Sequence, residues 1–163
     1  MLNQFSMDEY AGYLRIATTS GFSWWNRTNA IYVLAQDGNS LEIVGKLEDL
    51  ARNERVMSAR FMGDTAYVVT FLTIDPLFVI DLKDPTSPKV VGELKIPGFS
   101  DYLHPLDSNR LIGIGRAGWG GMTSLGGLHA SVFDVSHPDR PTELSRLQLT
   151  NGQRQSIPEG PHQ

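Results

Sequence analysis

Four histidines have the widest chemical repertoire in this chain, because imidazole binds metals and transfers protons near neutral pH. They are His104, His129, His137 and His162. No two of them have the close spacing of a metal-binding pair, and no acidic cluster stands beside them at ligand spacing. The sequence contains no cysteine, so thiolate metal sites are excluded as well. We therefore expect no metal site, no cofactor and no assignable catalytic residue, and an enzyme is the less favoured interpretation.

A glycine motif suggests a second chemistry, the binding of a dinucleotide. Residues 113–118 read GIGRAG and match the G-x-G-x-x-G fingerprint. That fingerprint holds a pyrophosphate only where a helix N-terminus follows and offers its free N–H groups. Here the next residues read WGGMTSLGGL, which cannot make a good helix. The sequence therefore favours a strand whose glycines permit close packing, leading into a loop.

Asp81 and Asp134 each stand at the end of an apolar run, just before a proline-containing turn. A carboxylate in that place can bind calcium, or it can accept hydrogen bonds from the backbone N–H groups of its own turn. Because the whole turn occurs twice, we favour the structural role. We expect Asp81 to accept a bond from an N–H within residues 82–86, and Asp134 from one within residues 135–139.

The elements that must position these residues are hairpins that recur along the chain. Residues 77–94 read LFVIDLKDPTSPKVVGEL and residues 130–147 read ASVFDVSHPDRPTELSRL, so an apolar strand, a double-proline turn and an alternating strand occur twice. Another hairpin precedes each copy, at 56–71 and at 100–116. A more divergent copy comes first, and there Asp-Gly-Asn at 37–39 replaces the double-proline turn. Each copy predicts four strands.

The period of roughly 45–55 residues fits the four-stranded blades of β-propellers, which run about 40–50 residues. We predict an all-β fold over residues 1–149, a partial β-propeller whose three four-stranded antiparallel blades lie at about residues 5–47, 56–96 and 100–149. Residues 150–163 are polar and rich in Gly, Pro and Gln, which predicts a disordered tail. The one helix candidate, LEDLARNER at 47–55, sits between strands and allows one or two turns at most.

The sequence also resembles a known family. LFVIDLKDPTSPKVVGELKIPGFSDYLHPLDSNRLIGIGR, at residues 77–116, is similar to strings around DPLFVIDL, GELKIPGFSDYLHP and LIGIG in bacterial and archaeal secreted proteins with a C-terminal β-propeller domain. The Asp-x-x-Asp-Pro-x-x-Pro turn resembles the LVIVD-type repeats of extracellular propeller-like proteins. The match covers about residues 2–149 and is specific through residues 56–116. The resemblance implies export or surface attachment, and it implies no established reaction.

Charge and hydropathy argue against two classes of partner. The formal net charge is −4 and the pI is about 5.5, so no basic field exists to attract nucleic acid. No apolar stretch approaches the ~18–20 residues that insert across a membrane. The first residues, MLNQFSMDEY, lack the basic and apolar regions of a signal peptide. An extracellular or cell-envelope location is therefore expected from the resemblance alone.

Long connections are the best candidates for binding, because loops on a rigid scaffold vary without disturbing the core. In a four-stranded blade, the connections between second and third strands emerge on one face. Those of the first and third blades, at 19–29 and 117–129, hold all three tryptophans, and tryptophan is frequent at binding hot spots. The predicted ligand-binding residues are Trp24, Trp25, Trp119, Arg116 and His104, the last as a polar residue of an innermost strand that lines the channel. The alternative is that the tryptophans cap blade interiors.

We interpret the chain as a noncatalytic β-propeller scaffold that binds a protein, peptide or glycan and forms part of an exported or cell-surface protein. The alternative is a fragment of a propeller enzyme whose active site, at the channel mouth, is completed by missing blades or by a second copy. Three blades leave apolar strand surface at both ends of an arc, which promotes association. Because propellers usually have about 4–8 blades, we expect a homodimer that closes a six-blade ring.

Overall fold

The computed structural model describes residues 3–23, 25–71, 75–96, 99–116 and 127–149. Within these residues the chain forms a short 3₁₀ helix, Gln4–Ser6, and twelve strands. In chain order the strands are β1 (Met7–Tyr10), β2 (Tyr13–Ser20), β3 (Thr28–Asp37), β4 (Ser40–Leu50), β5 (Arg55–Met62), β6 (Thr65–Phe71), β7 (Asp75–Asp81), β8 (Lys89–Ile96), β9 (Phe99–Pro105), β10 (Arg110–Arg116), β11 (Leu128–Asp134) and β12 (Thr142–Leu149).

The strands form three sheets, each built from four strands that are consecutive in sequence and pair antiparallel. We call them blade 1 (β1–β4), blade 2 (β5–β8) and blade 3 (β9–β12). Because the strands alternate in direction, the connections between second and third strands lie at one end of the blades, which we call the upper end. The predicted all-β fold with three four-stranded antiparallel blades is confirmed.

Blade 2 lies between the other two blades, and its middle strands are apolar on both sides. Val68 and Val69 of β6 point to opposite faces, and neither is exposed to solvent. One side of blade 2 packs on blade 1 in a core that includes Ala17, Ile31, Val33, Ala59, Phe61, Ala66, Val68, Phe78 and Ile80. The other side packs on blade 3 in a core that includes Tyr67, Val69, Leu77, Val79, Ile96, Leu103, Leu111, Phe133 and Val135.

The best helix candidate in the sequence, 47–55, for which the sequence allows one or two turns at most, contains no helix. β4 continues to Leu50, and a turn follows it. Right-handed helix is excluded because φ is positive (58°, 47° and 66°) at Asp49, Ala51 and Asn53. The buried Asn29 side chain holds this turn, since its Nδ2 donates to three backbone carbonyls there at 2.9, 3.1 and 3.2 Å. Tertiary hydrogen bonds thus override the helix propensity of LEDLARNER.

The double-proline turns of blades 2 and 3 are held by the same hydrogen bonds. Asp81 ends β7, and its Oδ1 accepts the Lys83 N–H at 2.9 Å. Asp134 ends β11, and its Oδ1 accepts the Ser136 N–H at 2.8 Å. Each turn also donates a backbone N–H, at 2.8 Å, to the hairpin turn between the first and second strands of its own blade. The predicted bonds from the aspartates to their own turns are confirmed.

A glycine in the fourth strand of one blade lets the double-proline turn of the next blade approach. A Cβ at Gly45 of blade 1 would lie 2.0 Å from the Pro85 carbonyl oxygen of blade 2. A Cβ at Gly92 of blade 2 would lie 1.9 Å from the Pro138 carbonyl oxygen of blade 3. Side chains do not approach backbone atoms so closely, so only glycine fits at these positions. Both junctions are therefore built on one kind of contact.

A buried arginine adds a polar contact between blades 1 and 2. The Arg15 side chain is 3% exposed, and it binds the two carboxylate oxygens of Asp8 at 2.7 and 2.6 Å. It also donates to the Gly63 carbonyl in the β5–β6 turn. Its guanidinium lies 4.8 Å from the centre of the Tyr10 ring and 5.3 Å from that of Phe61. The charge is thus paired and enclosed where the two blades meet, which is the condition for burying it without a large penalty.

We predict that Gly92→Ala lowers the free energy of unfolding by about 1–3 kcal/mol, because the added methyl group overlaps the Pro138 carbonyl and forces blades 2 and 3 apart. Gly127→Ala is the matched control, since its added methyl group would lie 3.4 Å from the nearest atom, an ordinary contact. Urea unfolding followed by circular dichroism measures both changes. An unchanged midpoint for Gly92→Ala would show that the blades do not meet at this residue.

Candidate functional site

Two exposed aromatic side chains lie at the upper end of blade 1, in the connection between β2 and β3. Trp25 is 64% exposed, and Phe22 is fully exposed at 106%. Trp24 and Trp119, which were predicted to share this face, lie outside the described residues. Of the three predicted tryptophans, the structure therefore describes Trp25. This side chain is accessible to solvent, as is Phe22 in the same connection.

Local hydrogen bonds give the connection that carries these aromatic rings a defined shape. The Ser23 N–H donates to Asn26 Oδ1 at 3.0 Å, and the Asn26 N–H donates to the Ser23 carbonyl at 3.1 Å. Gly21 has a φ of 101°, and a Cβ there would lie 2.3 Å from the Asn26 carbonyl oxygen. Glycine and asparagine thus close a compact turn that holds Phe22 and Trp25 outside the core.

A pair of opposite charges lies at the upper end of blade 3. Arg116 is exposed and ends β10, on the side of the sheet turned away from blade 2. Asp101 lies on the neighbouring strand β9 at a bulge, where the pairing with β10 shifts its register. Burial raises the pKa of the Asp101 carboxyl above its ordinary value, and the positive charge of Arg116, together with that of His129 when its ring is protonated, opposes that rise. The carboxyl is thus partly desolvated although the residue as a whole is exposed.

His129 is a buried histidine near this charge pair. It lies on β11 opposite Gly115 and is 1% exposed, and its Nδ1 has no hydrogen-bond partner among the residues that the structure describes. Burial lowers the pKa of His129, the charge of Arg146 lowers it further, and the charges of Glu143 and Asp101 act in the opposite direction. The imidazole is therefore neutral at pH 7 and offers one acceptor and one donor.

Two buried hydroxyl groups extend this polar patch along the interface with blade 2. Ser100 and Ser131 are not exposed, and their Oγ atoms have no partner in the described part of the chain. A Cβ at Gly113 would lie 2.6 Å from Ser100 Oγ, so glycine leaves room for that hydroxyl. Buried polar groups are nearly always hydrogen-bonded, and unpaired ones often mark a site with a role beyond packing. The two hydroxyl groups and His129 thus form a buried polar patch near the upper end of blade 3.

His104 lies apart from these residues. It pairs with Ile112 near the lower end of β9, whereas Arg116 pairs with Phe99 at the upper end. Its Nδ1 is 3.2 Å from the Tyr102 hydroxyl, and the two rings stack with centres 6.1 Å apart. β9 contacts β5, the first strand of blade 2, so His104 does stand on a strand where blades converge. The structure does not bring His104 together with Arg116 or Trp25.

Sequence reasoning did not select Asp101 and His129. The alternate positions of β11 that face blade 2 are occupied by His129, Ser131 and Phe133. A polar residue at a core-facing position of a predicted strand is the sequence pattern that could have pointed to His129. Over the described ranges, no group of three or more His, Asp and Glu side chains is placed to hold a metal ion. The same part of the chain has no helix with the length and apolar character needed to cross a membrane.

Comparison with known sequences identifies relatives of this chain. The sequence model of the beta propeller domain family matches residues 1–162. An uncharacterized protein of Methanocaldococcus jannaschii is 51% identical over 152 residues, which cover 91% of this chain and 23% of that protein. An uncharacterized protein of Archaeoglobus fulgidus is 47% identical over 149 residues, which cover 91% of this chain and 22% of that protein. The chain thus spans less than a quarter of the length of either relative.

We predict that His129 makes the stability of the fold depend on pH. Because the folded-state pKa is lowered, the unfolded chain takes up a proton first as the pH falls through about 6.5. The contribution of neutral His129 to the free energy of unfolding is therefore fully present above that pH. It is lost as the pH falls from there through the lower folded-state pKa. His129→Gln removes this loss, whereas replacing the exposed His137 by Gln retains it. Urea unfolding between about pH 7.5 and pH 5.5 measures the difference, and an NMR titration that gave His129 a pKa above about 6.5 would contradict it.

Proposed function

Because the chain belongs to the beta propeller domain family, we propose that it is a noncatalytic scaffold that binds a peptide or glycan at the upper ends of its blades. The observation that carries this proposal is the pair of exposed aromatic side chains, Phe22 and Trp25, on one short and locally bonded connection. An aromatic pair held outside the core is typical of a contact surface, since exposure of large apolar groups to water is unfavourable.

The scaffold beneath this surface supports a binding role. The strands that flank the connection, β2 and β3, pack through Ala17 and Ile31 against blade 2. A ligand that contacts Trp25 therefore meets side chains whose backbone is already ordered, which lowers the entropy cost of binding. Loops on such a framework commonly carry the binding residues of a fold.

The charges at the upper end of blade 3 supply polar recognition on the same face. Arg116 offers a guanidinium fork, which suits carboxylate groups, and the Asp101 carboxyl accepts or donates a hydrogen bond depending on its protonation. Aromatic rings and charged groups on one face fit a peptide or a glycan, because both ligands combine apolar faces with hydrogen-bonding groups. These features favour a mixed polar and aromatic ligand over a purely apolar one.

We also propose that the protein acts outside the cell or at the cell envelope. The support is the resemblance of residues 56–116 to secreted propeller proteins and of the Asp81 and Asp134 turns to LVIVD-type repeats. Because the chain spans less than a quarter of its relatives, its upper face is one part of a larger surface in proteins of that length. Fractionation of a native host, with an antibody against this region, tests the location.

A second candidate function is favoured by the two perturbed groups of blade 3. The Asp101 pKa is raised and the neighbouring His129 pKa is lowered, and groups whose environments shift them toward neutral pH or keep them neutral are used in general acid–base catalysis. In this alternative the chain is part of a propeller enzyme, and further blades or a second copy complete the site at the channel mouth.

We predict that Trp25→Ala weakens binding at least about tenfold to a ligand selected from a peptide library or a glycan array, because truncated aromatic hot spots cost about 2 kcal/mol or more. Leu106→Ala is the matched control, since Leu106 is 50% exposed at the lower end of blade 3. Fluorescence titration measures both affinities. Unchanged affinity in both Trp25→Ala and Arg116→Ala, or no ligand from either library, would contradict the proposed site.

The two candidate functions predict different results for substitutions of Asp101 and His129 in blade 3. If the chain is a binding scaffold, the wild type gives no turnover with a panel of hydrolase substrates. Asp101→Asn and His129→Gln then have no activity to reduce. Turnover that falls by about 10²-fold or more in either variant, as removal of an acid or base usually causes, would favour the enzyme. Ligand affinity measured on the same variants separates lost binding from lost chemistry.

A further inference from the structure

The two outer faces of the blade array are apolar, and no other described strand packs on them. Blade 2 shows which positions neighbouring blades bury, because Tyr67, Val69, Leu77 and Val79 are covered by blade 3. The same strand positions on the outer face of blade 3 are only partly buried, and they are occupied by Ile112, Ile114, Ala130 and Val132. On the outer face of blade 1 the partly buried positions are Leu14, Ile16, Tyr32 and Leu34.

The inner junctions show what a following blade brings to its neighbour. The double-proline turn of that blade projects a carbonyl, Pro85 or Pro138, into space left by Gly45 or Gly92. Each glycine lies opposite an equivalent valine, since Gly45 pairs with Val33 and Gly92 pairs with Val79. A blade with this turn therefore requires a glycine at that position of the blade before it.

Blade 3 does not have this glycine. Ser145 lies opposite Val132, which is the equivalent position in blade 3. Its Cβ occupies the space that a projecting proline carbonyl needs, because the same atom on Gly92 would lie 1.9 Å from such a carbonyl. Any sheet that covers the outer face of blade 3 must therefore lack the double-proline turn.

Blade 1 is the described blade that lacks this turn. Its third and fourth strands are joined by residues 38–39 alone, whereas residues 82–88 and 135–141 join those strands in blades 2 and 3. The short turn is closed on itself, since Gln36 Nε2 donates to the Gly38 carbonyl at 2.9 Å and Ser40 Oγ donates to the Asp37 carbonyl at 2.9 Å. No proline carbonyl projects from this turn, so blade 1 can pack on blade 3 without a collision with the Ser145 side chain.

We propose that the outer face of blade 3 binds the outer face of blade 1 in a second copy of this chain. Two copies then form two identical junctions and close a ring of six blades, within the usual propeller range of about 4–8. Both faces are apolar, so their contact removes from water the surface that three blades leave uncovered. In this ring, blade 1 of one copy is the neighbour of blade 3 of the other. The β2–β3 connection with Trp25 therefore belongs to the blade next to the one that carries Arg116.

The mass of the wild-type chain in solution tests this proposal. Light scattering at micromolar concentration is expected to give twice the monomer mass of 18.1 kDa. A monomer would overturn the proposal, and it would indicate that other blades, such as those of a longer chain, cover these faces. Assemblies larger than two copies would also overturn it, because the two faces would then meet without closing a ring.

Two charge substitutions test which faces are in contact. Leu147 is 55% exposed on the outer face of blade 3, opposite Ala130, and Met7 is 40% exposed on that of blade 1, opposite Ile16. Leu147→Glu and Met7→Glu are each expected to give monomers. Leu106→Glu, at a residue 50% exposed outside both faces, is the matched control and is expected to remain dimeric.

Mixing the two monomeric variants separates this geometry from a symmetric contact. Blade 3 of the Met7→Glu copy and blade 1 of the Leu147→Glu copy are both unaltered, so the mixture is expected to recover a dimer through one intact junction. Recovery also shows that both variants are folded. Failure to recover, dissociation by only one of the two substitutions, or dissociation by Leu106→Glu would overturn the proposal. None of these results depends on ligand binding, so failure of the dimer proposal would not contradict the proposed binding function, which the Trp25→Ala experiment tests.

Discussion

The packing of one sheet face on the next is the interaction on which this structure depends. A four-stranded antiparallel sheet can bury its apolar side chains only against another layer. Blade 2 meets that requirement on both sides, which is why β6 and β7 are apolar and buried at consecutive positions, 66–69 and 77–80. Among the described strands, blades 1 and 3 each meet it on one side, the side that packs on blade 2. The same physical requirement therefore explains the burial at the centre of the array and the partly buried apolar positions on its two outer faces.

The contact between a strand glycine and a proline carbonyl sets how closely consecutive blades approach. Asp81 and Asp134 do not touch the neighbouring blade in this contact. They hold their own turns through backbone N–H groups, and those turns then project Pro85 and Pro138 into the spaces at Gly45 and Gly92. The aspartates thus act on packing through local turn geometry. A turn that serves as a packing device has no need of a calcium ion to explain its acidic residue.

The polar patch of blade 3 lies in one of these otherwise apolar interfaces. His129, Ser131 and Ser100 are buried on the side of blade 3 that faces blade 2, where apolar side chains would stabilise the fold more. Gly113 makes room for one of these groups. Within the described part of the chain, Ser100 Oγ, Ser131 Oγ and His129 Nδ1 have no hydrogen-bond partner, and burying unpaired polar groups costs free energy.

The sequence by itself determined the strands, the three four-stranded sheets and the hydrogen bonds of the two aspartate turns. These features follow from alternation along a strand and from turn chemistry within a few residues, both of which are local. Only the tertiary structure decided that the helix candidate at 47–55 forms a turn and that His129 is buried beside Asp101. Both depend on atoms distant in sequence, the Asn29 amide and the face of blade 2. The opposite positions of His104 and Arg116, by contrast, follow from the pairing of a single hairpin. Local patterns encode which elements form, whereas contacts between sheets decide which side chains meet.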